Sequence, residues 1–122
     1  MADVFDEAYL SARIAHCFRD LGQGRQATRY ARRSLNMNRD FVRGRAFNLP
    51  LLATALTQEG NIDEAIAVGR TATELAMGLQ SQRSVRYIVD LHRRLERVAP
   101  RPMLEEFSQQ AAALARARTE RQ

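Results

Sequence analysis

The chain contains no lysine and no tryptophan, and all 19 of its basic residues are arginine. The all-arginine set matches the codon bias of a GC-rich genome. One cysteine, Cys17, excludes an internal disulfide and fits a reducing compartment. Three prolines and six glycines are too few for an all-β fold with its many turns. The longest apolar stretch runs from Leu49 to Leu56, is interrupted by Thr54, and is far too short for a membrane span. The start, Met1-Ala-Asp-Val-Phe-Asp-Glu, has no basic segment followed by an apolar run, so no secretory signal is expected. These absences point to a cytoplasmic protein.

Chemistry-bearing motifs are equally sparse. His16 and His92 have no neighbour at metal-ligand spacing. His16 and Cys17 are adjacent, so on a helix they diverge by about 100° and cannot form a nucleophile pair. Cys17 is expected in the core and His16 towards a groove or solvent. Gly22-Gln-Gly24 lacks the further glycine and preceding strand of a phosphate-binding loop. The acidic pairs Asp63-Glu64 and Glu105-Glu106 are read as first-turn residues favoured by the helix dipole. No catalytic residue, metal or cofactor is expected.

What is present is helix-forming and repetitive. Hydrophobic residues make up 45% of the chain, enough for a core. Ile14, Phe18, Gly22, Ala27, Ala31 and Ser34 align with Leu52, Leu56, Gly60, Ala65, Gly69 and Ala72 at a constant offset of 38 residues. Only Leu35 against Thr73 matches poorly. Ile14 and Phe18 are four apart and share one helix face, as do Leu52 and Leu56. Gly22 and Gly60 suit the left-handed residue that closes a helix. Ala27 and Ala31, like Ala65 and Gly69, place small side chains where antiparallel helices meet.

A weaker third unit follows. Val85, Ile88, Leu91, Leu95 and Val98 form one amphipathic stripe. Ala99-Pro100-Arg101-Pro102 breaks it, and Leu104, Phe107, Ala111 and Leu114 resume it. The spacing predicts six helices over about 4–21, 25–37, 40–59, 62–77, 81–98 and 102–117. Pro50 either kinks the third or follows a start capped by Asn48. Asn61 has the character of an N-cap. The last helix carries an alanine-rich strip, Ala111 to Ala117, which either caps the stack or forms a two-fold dimer contact.

This pattern resembles the tetratricopeptide repeat, through Ile14-Ala15, Phe18, Gly22 and Ala27 in the first unit and Leu52-Ala53, Leu56, Gly60 and Ala65 in the second. The usual period of that repeat is 34 residues, so each unit here has about one extra helical turn. The proline that usually follows the second helix is missing from both units. The resemblance implies an all-α, right-handed α-α superhelix of about three antiparallel pairs, one domain over 1–122. Its repeats are placed at about 4–37, 40–77 and, degenerate, 81–117. Phe41-Val-Arg-Gly-Arg-Ala-Phe-Asn-Leu, Gln58-Glu-Gly-Asn-Ile-Asp-Glu-Ala and Leu79-Gln-Ser-Gln-Arg-Ser-Val-Arg-Tyr also look like the helical half of actinobacterial Xre-type helix-turn-helix transcriptional regulators. There such a region serves as a sensing or oligomerisation module. No helix-turn-helix segment stands before residue 10.

Two surfaces follow as binding candidates. The resemblance implies a concave groove lined by the first helix of each unit. By position this selects Tyr9, Ala12, His16, Arg19 and Asp20, then Phe47, Pro50, Thr54, Thr57 and Gln58. In the third unit it selects Arg86, Val89, Arg93, Glu96 and Arg97. Such a groove suits an acidic or C-terminal peptide segment through arginine–carboxylate contacts. The second surface is basic: Arg25, Arg29, Arg32 and Arg33 form a stripe, and Arg39, Arg43 and Arg45 extend it against a single acid, Asp40. A second arginine cluster, Arg83 to Arg101, is partly offset by Asp90 and Glu96. The stripe reads first as a solvated outer face and second as a surface for nucleic acid or an acidic partner. Tyr30 is expected to pack inward. The leading expectation is a protein- or peptide-binding regulatory module; the rivals are direct nucleic-acid binding and a structural dimerisation scaffold.

Overall fold

In the computed structural model, residues 4–36 and 41–120 are described, with side chains over 7–36 and 41–119. The expected helix ends at 37 and 40, and Arg39 and Asp40 of the basic segment, lie outside them. The described residues form six α-helices and no strand: α1 Val4–Asp20, α2 Gly24–Ser34, α3 Val42–Gln58, α4 Ile62–Met77, α5 Gln82–Glu96 and α6 Arg101–Glu120.

The two glycines close their helices identically. Gly22 has φ +75° and Gly60 φ +88°. Gly22 N–H donates to the Arg19 carbonyl and Gln23 N–H to that of Phe18. Gly60 N–H donates to the Thr57 carbonyl and Asn61 N–H to that of Leu56. This paired pattern, with glycine in the left-handed region, satisfies carbonyls that a helix end leaves open. The third pair turns differently. Ala99 N–H donates to Leu95 O at 2.8 Å, and Pro100 then ends the turn before α6. The third unit departs from the repeat because its turn is made by proline and not by glycine.

The helices pack as hairpins, α1 on α2, α3 on α4 and α5 on α6. The first helices also pack in sequence, α1 on α3 and α3 on α5, while α4 packs on α6. Small residues set these distances. Ala15, Ala27, Ala31, Ala53 and Ala65 are all fully buried. A Cβ on Gly24 would lie 2.7 Å from both Gln58 Cβ and Glu59 N, so α2 begins against the end of α3. A Cβ on Gly69 would lie 3.0 Å from Leu91 Cδ2 and 3.3 Å from Phe107 Cζ, where α4 meets α5 and α6.

The core runs from Ala15 through Leu52, Leu56, Ile88, Leu91 and Leu95 to Phe107 and Leu114. Every residue from Leu49 to Leu56 is buried, because α3 touches four other helices and this stretch has no free face. α3 runs unbroken through Pro50, so Asn48 is not its cap. Asn48 instead donates Nδ2 to the Ser34 carbonyl at 3.3 Å, at the end of α2. Asn61 precedes α4 but its side chain makes no cap bond. Ser81 does cap α5, its Oγ accepting from Ser84 N–H.

Two ion pairs tie the second helices together. Arg32 of α2 donates to both carboxylate oxygens of Glu64 on α4, at 2.9 and 2.7 Å. Arg70 of α4 reaches Glu106 of α6 at 2.7 Å. Arg32 and Arg70 occupy equivalent repeat positions, so the same link recurs from one hairpin to the next. Glu64 and Glu106 are therefore ion-pair acceptors, beyond any dipole role. Glu105 and Glu106 also lie past the first turn of α6, which starts at Arg101.

Candidate functional site

The exposed side of α1, α3 and α5 carries a cleft of about 290 Å³. Tyr9, Ala12, Arg13 and His16 of α1 form one wall, and Gly44, Phe47 and Asn48 of α3 the other. Phe41, Arg43 and, from α5, Arg83 also line the cleft. A narrower extension, about 20 Å³, continues between His16, Arg19, Phe47, Thr54, Tyr87 and Asp90.

The cleft is a mixture of aromatic rings and arginines. Arg13 lies 5.9 Å from the centre of the Tyr9 ring and donates to its hydroxyl at 3.4 Å. The Arg83 guanidinium lies 4.4 Å from the centre of Phe47 and 5.3 Å from that of Tyr87. The two rings meet edge-on at 6.2 Å. Among the described residues, no acidic side chain lines the main cleft. In the extension, Asp90 accepts from Arg94 at 2.9 Å, and Arg19 is held by Asp20 at 2.9 Å. His16 is held below the ordinary imidazole value of 6.5, first by burial and then by the positive charge of Arg19 and Arg83, with Asp20 opposing. It is therefore neutral at neutral pH.

The sequence-selected groove residues divide. Tyr9, His16 and Phe47 meet at the cleft, and Arg19 and Thr54 line its extension. Thr54 is buried, 5% exposed, so it forms floor and offers little contact surface. Gln58 has a structural position: its Nε2 donates to the Arg19 carbonyl at 2.8 Å, tying the end of α3 to the end of α1. Arg86 and Arg93 on α5, and Arg97 just after it, are exposed and line neither cavity. The α5 residues that do are Arg83, Tyr87 and Asp90. They occupy the side of α5 that faces back onto α3, which the weak third alignment did not identify.

The basic stripe is also divided. Arg25 and Arg29 are exposed on α2. Arg32 is paired with Glu64, and Arg33 lies 5.3 Å from the centre of the Tyr30 ring. Tyr30 is half-buried and stacks on Phe18 at 5.7 Å. Arg43 belongs to the cleft, and Arg45 is half-buried. Cys17 is exposed and not in the core, because Ala15 takes the inward position of that turn. Arg13, Phe41 and Tyr87 were missed by the repeat pattern. For Arg13 and Tyr87 the signal lies in the four-residue spacings Tyr9–Arg13 and Arg83–Tyr87, which place a ring beside a guanidinium on one helix face.

A second hollow lies at the α5–α6 junction. His92 Nε2 is 2.7 Å from Ser108 Oγ, and its Nδ1 is 3.6 Å from Glu96 Oε1. The order resembles a nucleophile, base and orienting acid. Ser108 sits inside α6, however, where peptide N–H groups are committed to the helix ladder and cannot cradle an oxyanion. The bond is better read as a tie between α5 and α6, beside the His92–Phe107 ring contact at 5.8 Å. Among the described residues no three His, Cys, Asp or Glu side chains come together as a metal site. None of the described helices is long and apolar enough to cross a membrane. Comparison with family models, curated proteins and solved structures finds no match to this chain.

Proposed function

We propose that the chain is a tetratricopeptide-type helical-repeat module that binds an acidic protein or peptide segment on its α1–α3–α5 face, as the sensing part of a bacterial transcriptional regulator. The observation that carries this reading is the composition of the cleft. Arg13, Arg43 and Arg83 stand among Tyr9, Phe41 and Phe47, with no acid among the described lining residues. Rings supply apolar area at low entropic cost, and guanidinium groups supply paired hydrogen bonds to carboxylates. The repeated glycine turns and the Arg32–Glu64 and Arg70–Glu106 links support the repeat architecture. Nucleic-acid binding through α2 has less support, because Arg32 is already paired and Arg33 is laid against Tyr30.

The test is capture of a glutamate-rich peptide by the chain and by two triple variants. Replacing Arg13, Arg43 and Arg83 with alanine weakens capture about tenfold or more. Replacing Arg86, Arg93 and Arg97 removes the same charge and leaves most of the affinity. Equal losses in both variants mean general charge attraction and contradict the cleft.

A further inference from the structure

The cleft contains a guanidinium that is held in place but pairs with no acid among the described residues. Arg83 is laid over Phe47 at 4.4 Å, and its Nε donates to the Tyr87 hydroxyl at 2.7 Å. A ring from α3 and a hydroxyl from α5 thus hold the group from two sides. Among the described residues its two terminal nitrogens have no acceptor. Arg19, Arg32, Arg70 and Arg94 by contrast all end on carboxylates. A fixed guanidinium loses little entropy when it accepts a ligand, and its free fork matches the two oxygens of a carboxylate.

The surroundings define the rest of the ligand. The wall between Tyr9, Ala12 and Phe47 is mostly apolar. The volume, about 290 Å³, is at the small end of the range for small-molecule pockets, roughly 300–1,000 Å³. Arg13 and Arg43 add positive charge, with no acid among the described lining residues. A planar fork beside apolar walls suits a flat body that carries a carboxylate.

We infer that the α1–α3–α5 cleft is a binding site for a small planar aromatic carboxylate, with its carboxylate on the Arg83 fork and its ring between Tyr9 and Phe47. This goes beyond the peptide reading and does not depend on it, since a free ligand needs only the pocket.

The chain has no tryptophan, so an indole ligand can be excited without interference from the protein. Indole-3-acetate is titrated with the intact chain and its fluorescence anisotropy followed. The anisotropy rises to saturation. The uncharged indole-3-acetamide binds about tenfold or more weakly, because it cannot form the charged pair. Arg83→Gln loses binding to a similar degree, and Arg83→Lys does too, since it keeps the charge but not the fork. Arg86→Gln, one turn away on the exposed face, binds normally. Arg83 is exposed, and circular dichroism verifies that its variants are folded. No rise with indole-3-acetate, equal binding of the amide, or unaltered binding by folded Arg83→Gln each overturns the site.

Discussion

Arg83 lies over Phe47, its guanidinium carbon 4.4 Å from the ring centre, and so joins α5 to α3 on the face shared with α1. A partly exposed contact of this kind contributes about 0.5–1 kcal/mol. Phe47→Leu keeps an apolar side chain but removes the ring. A double-mutant cycle with Arg83→Ala, read by urea unfolding, is expected to give a coupling of that size. Additive losses would show that the two residues do not interact in solution.

The turn glycines and the contact glycine should fail for different reasons. A Cβ on Gly22 or Gly60 meets nothing within 4 Å, so alanine there costs only the left-handed backbone, about 1 kcal/mol. Gly24→Ala places its Cβ 2.7 Å from the Glu59 backbone nitrogen and should cost roughly 2–3 kcal/mol. Urea midpoints of the three variants check the order. A Gly24→Ala protein as stable as Gly22→Ala would show that α2 does not pack on the end of α3 as described.

Much of the fold was legible from those glycines and from the apolar stripes. Gly22 and Gly60 mark chain reversals that no other residue makes as cheaply, and the 38-residue offset aligned the buried alanines. The site was only partly legible. Tyr9, His16 and Phe47 were found because equivalent repeat positions share a face. Arg83 and Tyr87 were not placed in the groove, because the third unit lacks a turn glycine to anchor its alignment. The partners of Asn48, Gln58 and Ser108 lie on other helices, at Ser34, Arg19 and His92. No local pattern encodes such contacts.

His16 should make stability depend on pH. Its folded value is below the 6.5 of the free group, through burial and the charges of Arg19 and Arg83. Below that reference the unfolded chain takes up a proton that the folded chain resists. Stability is therefore present above the unfolded value and is lost as pH falls through it towards the folded value. The urea midpoint should drop between about pH 7.5 and about pH 5.5, and His16→Gln should reduce that drop. An identical drop in the variant would assign the effect to other groups.

The outer ion pairs should matter far less than the core. Arg32–Glu64 and Arg70–Glu106 are substantially exposed, so each contributes at most about 1 kcal/mol, and less in salt. Phe107 is fully buried against α4, and Phe107→Ala should cost about 3–5 kcal/mol. Thermal unfolding of Arg70→Ala beside Phe107→Ala checks the ranking. A larger loss from Arg70→Ala would mean that charge, and not packing, holds α4 on α6.

The central claim is that the α1–α3–α5 face is the binding surface. Amide chemical shifts of the isotopically labelled chain, titrated with a glutamate-rich peptide, test it most directly. The expected result is shift changes clustered at Tyr9–His16, Arg43–Asn48 and Arg83–Tyr87. Changes confined to Arg25–Arg33 on α2, or no changes at all, would contradict it.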